Sequence, residues 1–558
     1  MPFNLLVDPS FPVVRRSGRR HFITFAELAD PDDPPVDFAW VRPDFNIASY
    51  EFCIAVLSVA LGHAAQRFDV SLDDLWHTPP TADDLTSLVQ GLAPFFALDG
   101  TGPRFMQDHA VFAKAEASGI EALLIDTPGI NGQKKNADLL THRNRYPVLG
   151  RAAAAMALYA LQQFAPSGGA GNRTSMRGGG PLTTLVIPGS NPAAPSTLWH
   201  RLIINVSRDC LHWEDPLARP ERVFPWLAPT LLSDKAHGER ELSETDPALH
   251  PAHAGFGMPR RIRLEFSDRV GVCPLTGVEG PLVTGFSQQP WGMNYGLWRH
   301  PLTPYRQQKP TDPPYTVKPK SARFGYRDWV AVTYGQIKGA LAIPAKNLHD
   351  ATGSRAELVL DTYGPSVLRI AGWAMNNMEA MAYLWAEQPL YLTDDKAVAE
   401  TLRNTAIGFA EAGDAAHDLL RRALREALFA EDAKVSLDAG VFEESRMAFY
   451  EETEVPFHRA LAVLLAEPGQ DRMSLARGWL REMQRVAGEI FQRVLPAPGR
   501  HPEKARKMAL AHGHLMAAFS GRGKGGEILF TRLGLPLPEN KSATAKAKTK
   551  SKAKENKA

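Results

Sequence analysis

Residues Ala165–Leu185 read APSGGAGNRTSMRGGGPLTTL. Six glycines lie between Gly168 and Gly180 inclusive, with Arg173 and Arg177 among them. An Ala-rich helix is predicted over Gly150–Phe164, leading into this stretch, and an apolar strand over Leu182–Ile187, leading out. Glycine lets the backbone take positive φ and lets it approach another surface closely. Backbone N–H groups beside two guanidinium groups suit a nucleic-acid backbone or groove. The plainer alternative is a surface loop with no ligand. A nucleotide-binding loop does not fit. Asn172 stands where the second glycine of G-x-x-x-x-G-K-[ST] belongs, and Arg173 precedes Thr174 where lysine is needed. The order helix–loop–strand also reverses the strand–loop–helix that such loops and dinucleotide fingerprints require.

Upstream, short strands are expected over Phe3–Val7, Pro12–Arg15 and His21–Phe25, with a turn at Ser17-Gly18. Tyr50–Phe68 has helical spacing, and Thr81 with Asp83-Asp84 marks another helix start. Asp126–Tyr146, DTPGINGQKKNADLLTHRNRY, carries turn signals and the bases Lys134, Lys135, Arg143 and Arg145. Downstream, Leu202–Val206, Arg261–Phe266, Pro281–Phe286 and Trp329–Thr333 are strand candidates. Thr284–Tyr295 has the make-up of a hairpin tip, with Pro290 limiting its pairing. His237, His250 and His253, with Glu239 and Asp246 near, have spacing that permits a metal site, though scattered surface histidines explain them as well. Helices are predicted over Asp394–Ala430 (capped by Thr393), Phe442–Ala466, Arg472–Leu495 and Pro502–Ser520. In the third, Leu475, Trp479, Met483, Val486, Ile490 and Val494 form one core stripe. The expected fold class is α+β: a large mixed N-terminal domain of small sheets and helices over 1–388, then an antiparallel four-helix bundle over 389–530. The segment 531–558 is expected to be disordered, because its final Lys-rich stretch from Lys541 has almost no apolar content.

The chain has 558 residues and a formal net charge of +2. The tail from Lys541 carries seven lysines and one glutamate, so the remainder sums to −4. A duplex-binding surface on such a body has to be local. Three widely separated cysteines and no C-x-x-C pair argue against a disulfide framework or a cysteine zinc site and fit a cytoplasmic setting. No signal peptide is read at the N-terminus, and no apolar run approaches the length of a membrane span. An enzyme holding a phosphorylated substrate in the glycine loop stays open as an alternative, as does a pure scaffold.

Four segments carry a family resemblance: FNLLVDPSFPVV from Phe3, APSGGAGNRTSMRGGGPLTTLV from Ala165, STLWHRLIINV from Ser196 and GLWRHPLTPY from Gly296. Together they resemble CasA, the large subunit of the type I-E CRISPR surveillance complex, Cascade, and the resemblance covers most of Phe3–Ser520. It implies a non-enzymatic role with no cofactor; some members carry cysteine pairs near the position of Cys273, but here Cys273 stands alone and no zinc ribbon is expected. Such a subunit works with the other Cascade subunits and the CRISPR guide RNA. It reads the PAM of target double-stranded DNA from the minor groove, helps open the duplex, and docks a helicase-nuclease. On this resemblance Gly168, Gly169, Ala170 and Gly171 approach base edges while Arg173 and Arg177 hold phosphates, with an internal bracing role for Arg177 equally open. Asn376, Asn377 and Met378, within GWAMNNMEA, stand where the family has a duplex wedge, methionine replacing its glutamine. A helix end capped by asparagine is the alternative there. Gln288 and Gln289 stand where the family has a hairpin with a basic tip. Lys134, Lys135 and Asn136, with Arg143 and Arg145, resemble the loop that meets the guide-RNA end.

Overall fold

The computed structural model describes residues 2–538 except 113–115, 135–137, 139–141, 170, 192–195, 322, 338–339, 431–432, 437–439 and 498–500. The chain divides into two compact units, one of Met1–Phe324 with Gly339–Leu392, the other of Gly325–Lys338 with the chain from Thr393 onward. Of the segment 531–558 expected to be disordered, Thr531–Leu533 instead ends a helix over Gly526–Leu533, and Leu533 and Leu535 are buried; the Lys-rich remainder from 539 on lies outside the described residues.

In the first unit, β1 (Phe11–Arg15), β2 (Arg20–Ile23) and β3 (Pro35–Phe38) form an antiparallel sheet in the order β2-β1-β3. Phe3–Val7 is a turn, not a strand: Val7 and Asp8 both donate to the Asn4 carbonyl, and only Asn4 makes a bridge, to Ala97. α1 (Pro43–Ala64) follows with Pro43 in its first turn, where a missing N–H costs nothing. Its length and composition would allow it to cross a membrane, contrary to the expectation that no stretch would. It is instead buried on almost every side, as an all-round apolar core helix should be. Around it, Phe52 makes edge contacts with Phe96, Phe105 and Tyr159. α2 (Ala82–Val89) starts at Thr81, which forms a reciprocal cap with Asp84.

α3 (Arg151–Phe164) enters the glycine-rich stretch, and β4 (Thr183–Ile187) leaves it. Leu202–Val206 is not a strand, because Thr197 caps the short α4 (Leu198–Ile203) and turns follow. β5 (Arg261–Val272) and β6 (Glu279–Gln289) make a long hairpin whose tip is Cys273–Val278. The tip expected at Thr284–Tyr295 is therefore misplaced; Gln288 and Gln289 pair with Ile262 and Arg261 at the open end. α5 (Tyr326–Tyr334) belongs to the second unit. Its Trp329–Thr333 has strand-like composition, yet Tyr326 and Trp329 pack on Phe457 and the segment is helical. Strand propensity reports the fit to a pleated surface, and none is present there. β7 (Val367–Asn376) and β8 (Glu379–Pro389) form a second hairpin, and β7 also pairs with β4, giving the antiparallel order β8-β7-β4.

The second unit is a helical bundle of α6 (Lys396–Leu428), α7 (Gly440–Ala466), α8 (Arg472–Val494) and α9 (Pro502–Phe519), with the short α10 (Gly526–Leu533) added. The cap of α6 is Asp395, whose carboxylate accepts from Ala397 and Val398, while Thr393 supports Asp395 from outside. In α8, Trp479, Met483, Val486 and Ile490 are buried, and Trp479 lies stacked on Phe409. This is the mixed α+β region and helical bundle that the sequence predicts.

Candidate nucleic-acid interface

The glycine-rich stretch closes on itself before it meets anything else. Gly168 N–H donates to Asn172 O (3.1 Å) and Asn172 N–H to Gly169 O (2.8 Å), forming a small exposed turn. Gly169 (φ +66°) and Gly171 (φ +82°) supply its left-handed positions. A Cβ at Gly169 would meet nothing within 4 Å, so that glycine answers to backbone conformation alone. The later glycines answer to packing. A Cβ at Gly171 would lie 2.8 Å from the Trp291 ring, and one at Gly180 would lie 2.2 Å from the Trp373 carbonyl of β7. Ala170 lies outside the described residues.

The two arginines of the stretch part company. Arg177 is buried, 2% exposed, with Nη2 2.6 Å from Glu51 Oε2 on α1 and Nη1 donating to Thr303 Oγ1. Thr183 Oγ1 also donates to Glu51 (2.6 Å). Arg177 thus braces the fold, and its guanidinium is not at the surface. Arg173 is half-buried; Nε and Nη2 donate to Ser233 Oγ and O at 2.8 and 2.7 Å, and its guanidinium lies over Trp291. No carboxylate pairs with it among the described residues.

Two further cations fill space that glycines leave open. Arg260 Nη1 lies 2.6 Å from where a Gly168 Cβ would sit, and Lys318 Nζ lies 2.9 Å from the same point on Gly178. Arg260 is 8% exposed; it donates to Pro166 O, its Nε has no partner, and no described carboxylate reaches it. Burial alone pulls its guanidinium down to about 10. Desolvation also lowers Lys318. The neighbouring Arg261 is, by contrast, paired with Asp108 at 2.7 Å. An unpaired buried cation is costly unless an anion completes it.

Gln288 reaches this turn, with Nε2 donating to Asn172 Oδ1 at 2.6 Å; Gln289 is half-buried beside it. Asn376, Asn377 and Met378 form the exposed tip of the β7–β8 hairpin, with Asn377 at φ +54°, so the helix-end alternative does not hold. Pairing of β7 with β4, and Gly180 against Trp373, tie that hairpin to the glycine stretch. Lys134, exposed, ends a short helix, Ile130–Lys134; Arg143 Nε is 2.6 Å from Asp138, and Arg145 lies over the Tyr146 ring. Lys135 and Asn136 lie outside the described residues. The candidate metal histidines are engaged separately: His237 with Asp234, His250 with Glu214 O, and His253 with Tyr295 and Val223 O. Among the described residues no cluster of three or more potential metal ligands occurs.

The family model for CRISPR-associated protein Cse1 matches residues 4–490. The chain belongs to the Cse1 family. Solved structures of similar fold include CasA from Thermus thermophilus, at 18% identity and a TM-score of 0.66 over 93% of this chain and 100% of that one. Cse1 from Thermobifida fusca gives 17% and 0.65 over 95% and 98%. A chain from a CRISPR RNA-guided surveillance complex gives 16% and 0.64 over 92% and 99%. In this Cse1 chain, the residues that composition did not single out are Arg260, Lys318 and Trp291. Each is remote from the glycines in sequence and is brought to them only by the fold. The dense glycine spacing was the one local signal that something bulky had to be accommodated.

Proposed function

We propose that this chain is the large, non-catalytic subunit of a type I-E Cascade complex, reading the PAM of target DNA through its glycine turn. One observation carries the reading: an exposed turn at Ser167–Gly169 stands by Arg173 and Arg260, with Lys318 further along the stretch at Gly178, and none of the three has a carboxylate partner among the described residues. Backbone without side chains enters a minor groove that side chains would fill, and the groove's degenerate code tolerates several motifs. Arg173, Arg260 and Lys318 then supply the phosphate contacts, with Gln288 setting Asn172. Arg177 acts from within, by fixing the stretch to α1. Asn376, Asn377 and Met378 act as a wedge, with Met378 the apolar element that unstacks a base step. Lys134, Lys135, Asn136, Arg143 and Arg145 meet the guide-RNA end, and the remaining surface serves the other subunits and the helicase-nuclease. The likeness to a chain of an RNA-guided surveillance complex supports this assembly.

The test is duplex binding by the guide-RNA complex assembled with and without this chain. The targets share one protospacer and differ in a randomised flanking trinucleotide. Strong preference among flanks only when the chain is present is the expected result. Equal affinity across all flanks overturns flank reading and leaves a scaffold role.

A further inference from the structure

We propose that a cavity at the foot of the wedge hairpin receives one unstacked base of the opened DNA. This rests on the reading of the β7–β8 turn as a wedge. The cavity measures about 240 Å³, and its walls include Arg42, Asp44, Asp126, Arg145, Tyr146 and Trp373. Arg42 is consumed by its neighbours: Nη2 lies 2.8 Å from Asp44 Oδ2 and 2.8 Å from Asp126 Oδ1. With Arg145 the two cations balance the two carboxylates, so the interior suits a neutral polar group better than a phosphate. Asp126 remains part-exposed and presents acceptor lone pairs. The Trp373 indole N–H is a donor without a partner, although the residue is only 7% exposed. Leaving such a donor unmet is unfavourable, and a ring nitrogen or carbonyl of a base would satisfy it. Trp373 and Tyr146, whose ring already carries the Arg145 guanidinium on one side, add aromatic surface, and pockets for extruded bases combine aromatic walls with a few edge-reading polar groups.

The cavity and the wedge share the β7–β8 hairpin through Trp373. Trp373 lies on β7 three residues before Asn376, roughly 10 Å along a strand. That is about three steps of a stacked nucleic-acid strand at ~3.4 Å each. Trp373 pairs with Tyr383 across the hairpin, ring centroids 4.9 Å apart, and Tyr383 Oη donates to Pro43 O at the start of α1. Met381 and Trp385, two residues to either side of Tyr383, are 65% and 38% exposed. Alternation puts Tyr383 and Trp385 on one face, while Met381 is the unpaired residue of a bulge between them and the tip; exposed aromatic surface of this kind is what sequence-tolerant single-strand binders use.

The experiment is photo-crosslinking of the complete assembled complex, with 5-iodouracil placed one position at a time along each DNA strand and the guide-RNA end. Crosslinked residues are identified by mass spectrometry. The expected result is a crosslink to Tyr146 or Trp373 from a DNA position just past the flank. Crosslinks there from the guide RNA alone overturn the proposal in favour of an RNA site. Crosslinks to Trp291 beside the glycine turn, with none at Tyr146 or Trp373, overturn the cavity and leave flank reading standing. Absence of flank DNA from both places overturns both. As a second measurement, Tyr146→Ala should slow duplex opening about tenfold with flank preference unchanged. An unchanged opening rate in a folded Tyr146→Ala complex also overturns it.

Discussion

Two buried arginines near the glycine turn carry opposite energetics. Arg177 and Glu51 satisfy each other in a site closed to water. Removing the cation in Arg177→Met strands the carboxylate, and a loss of about 3–5 kcal/mol of unfolding free energy is expected from urea titration. Arg260 has no such partner, so Arg260→Met should leave unfolding unchanged or raise its midpoint. The same change should weaken binding of flank-bearing duplex by the complex roughly tenfold, the worth of one charge-assisted contact. If Arg260→Met unfolds the protein while DNA binding tracks the folded fraction, the cation is structural. The glycines divide similarly. Gly169→Ala strains only a left-handed position, costing about 1 kcal/mol. Gly180→Ala drives a methyl into the Trp373 carbonyl as well, and its Tm should fall much further.

At the scale of elements, the wedge hairpin owes its shape to one residue and its exposed chemistry to the next. Asn377 accepts a left-handed backbone that a β-branched residue resists, so Asn377→Val should cost about 1–3 kcal/mol. Met378 is 55% exposed at the tip, and Met378→Gln should leave stability within about 0.5 kcal/mol. If the tip is the wedge, that same variant alters the rate of duplex opening in the assembled complex, read by fluorescence of a base analogue beside the flank. The long helices are legible because α3, α6, α7, α8 and α9 carry their periodicity and start signals within themselves. Trp329–Thr333 reads as a strand because the ring that Trp329 packs on, Phe457, lies more than a hundred residues away. In α4 the cap, Thr197, is local, but Leu202–Ile204 has the composition of a strand, and its helical turn is decided by what it packs on.

Across the whole molecule, buried histidines set an acid limit. Burial lowers His253 and His417 to about 4 and pushes His300, which also faces Arg177, well below its ordinary value. Each is neutral in the fold, whereas the unfolded chain takes up its proton near pH 6.5. Between about pH 6.5 and 4 the unfolded state therefore binds more protons, and stability falls as pH falls. His253 alone should contribute a loss of roughly 2 kcal/mol at pH 5 relative to pH 7. Thermal unfolding followed from pH 7.5 to 5 should show a falling Tm, and an unchanged Tm would contradict the neutral, buried state. The sequence by itself determined the α+β class, the helical C-terminal region, the turn with its left-handed glycines and the family, because each is written in spacing or in contiguous motifs. The tertiary structure alone decided that Arg177 braces the core while Arg260 stands by the turn and Lys318 by Gly178. It also decided that Gly325–Lys338 leaves the first unit for the second. Burial and charge pairing depend on which distant side chains meet, and local pattern does not encode that meeting.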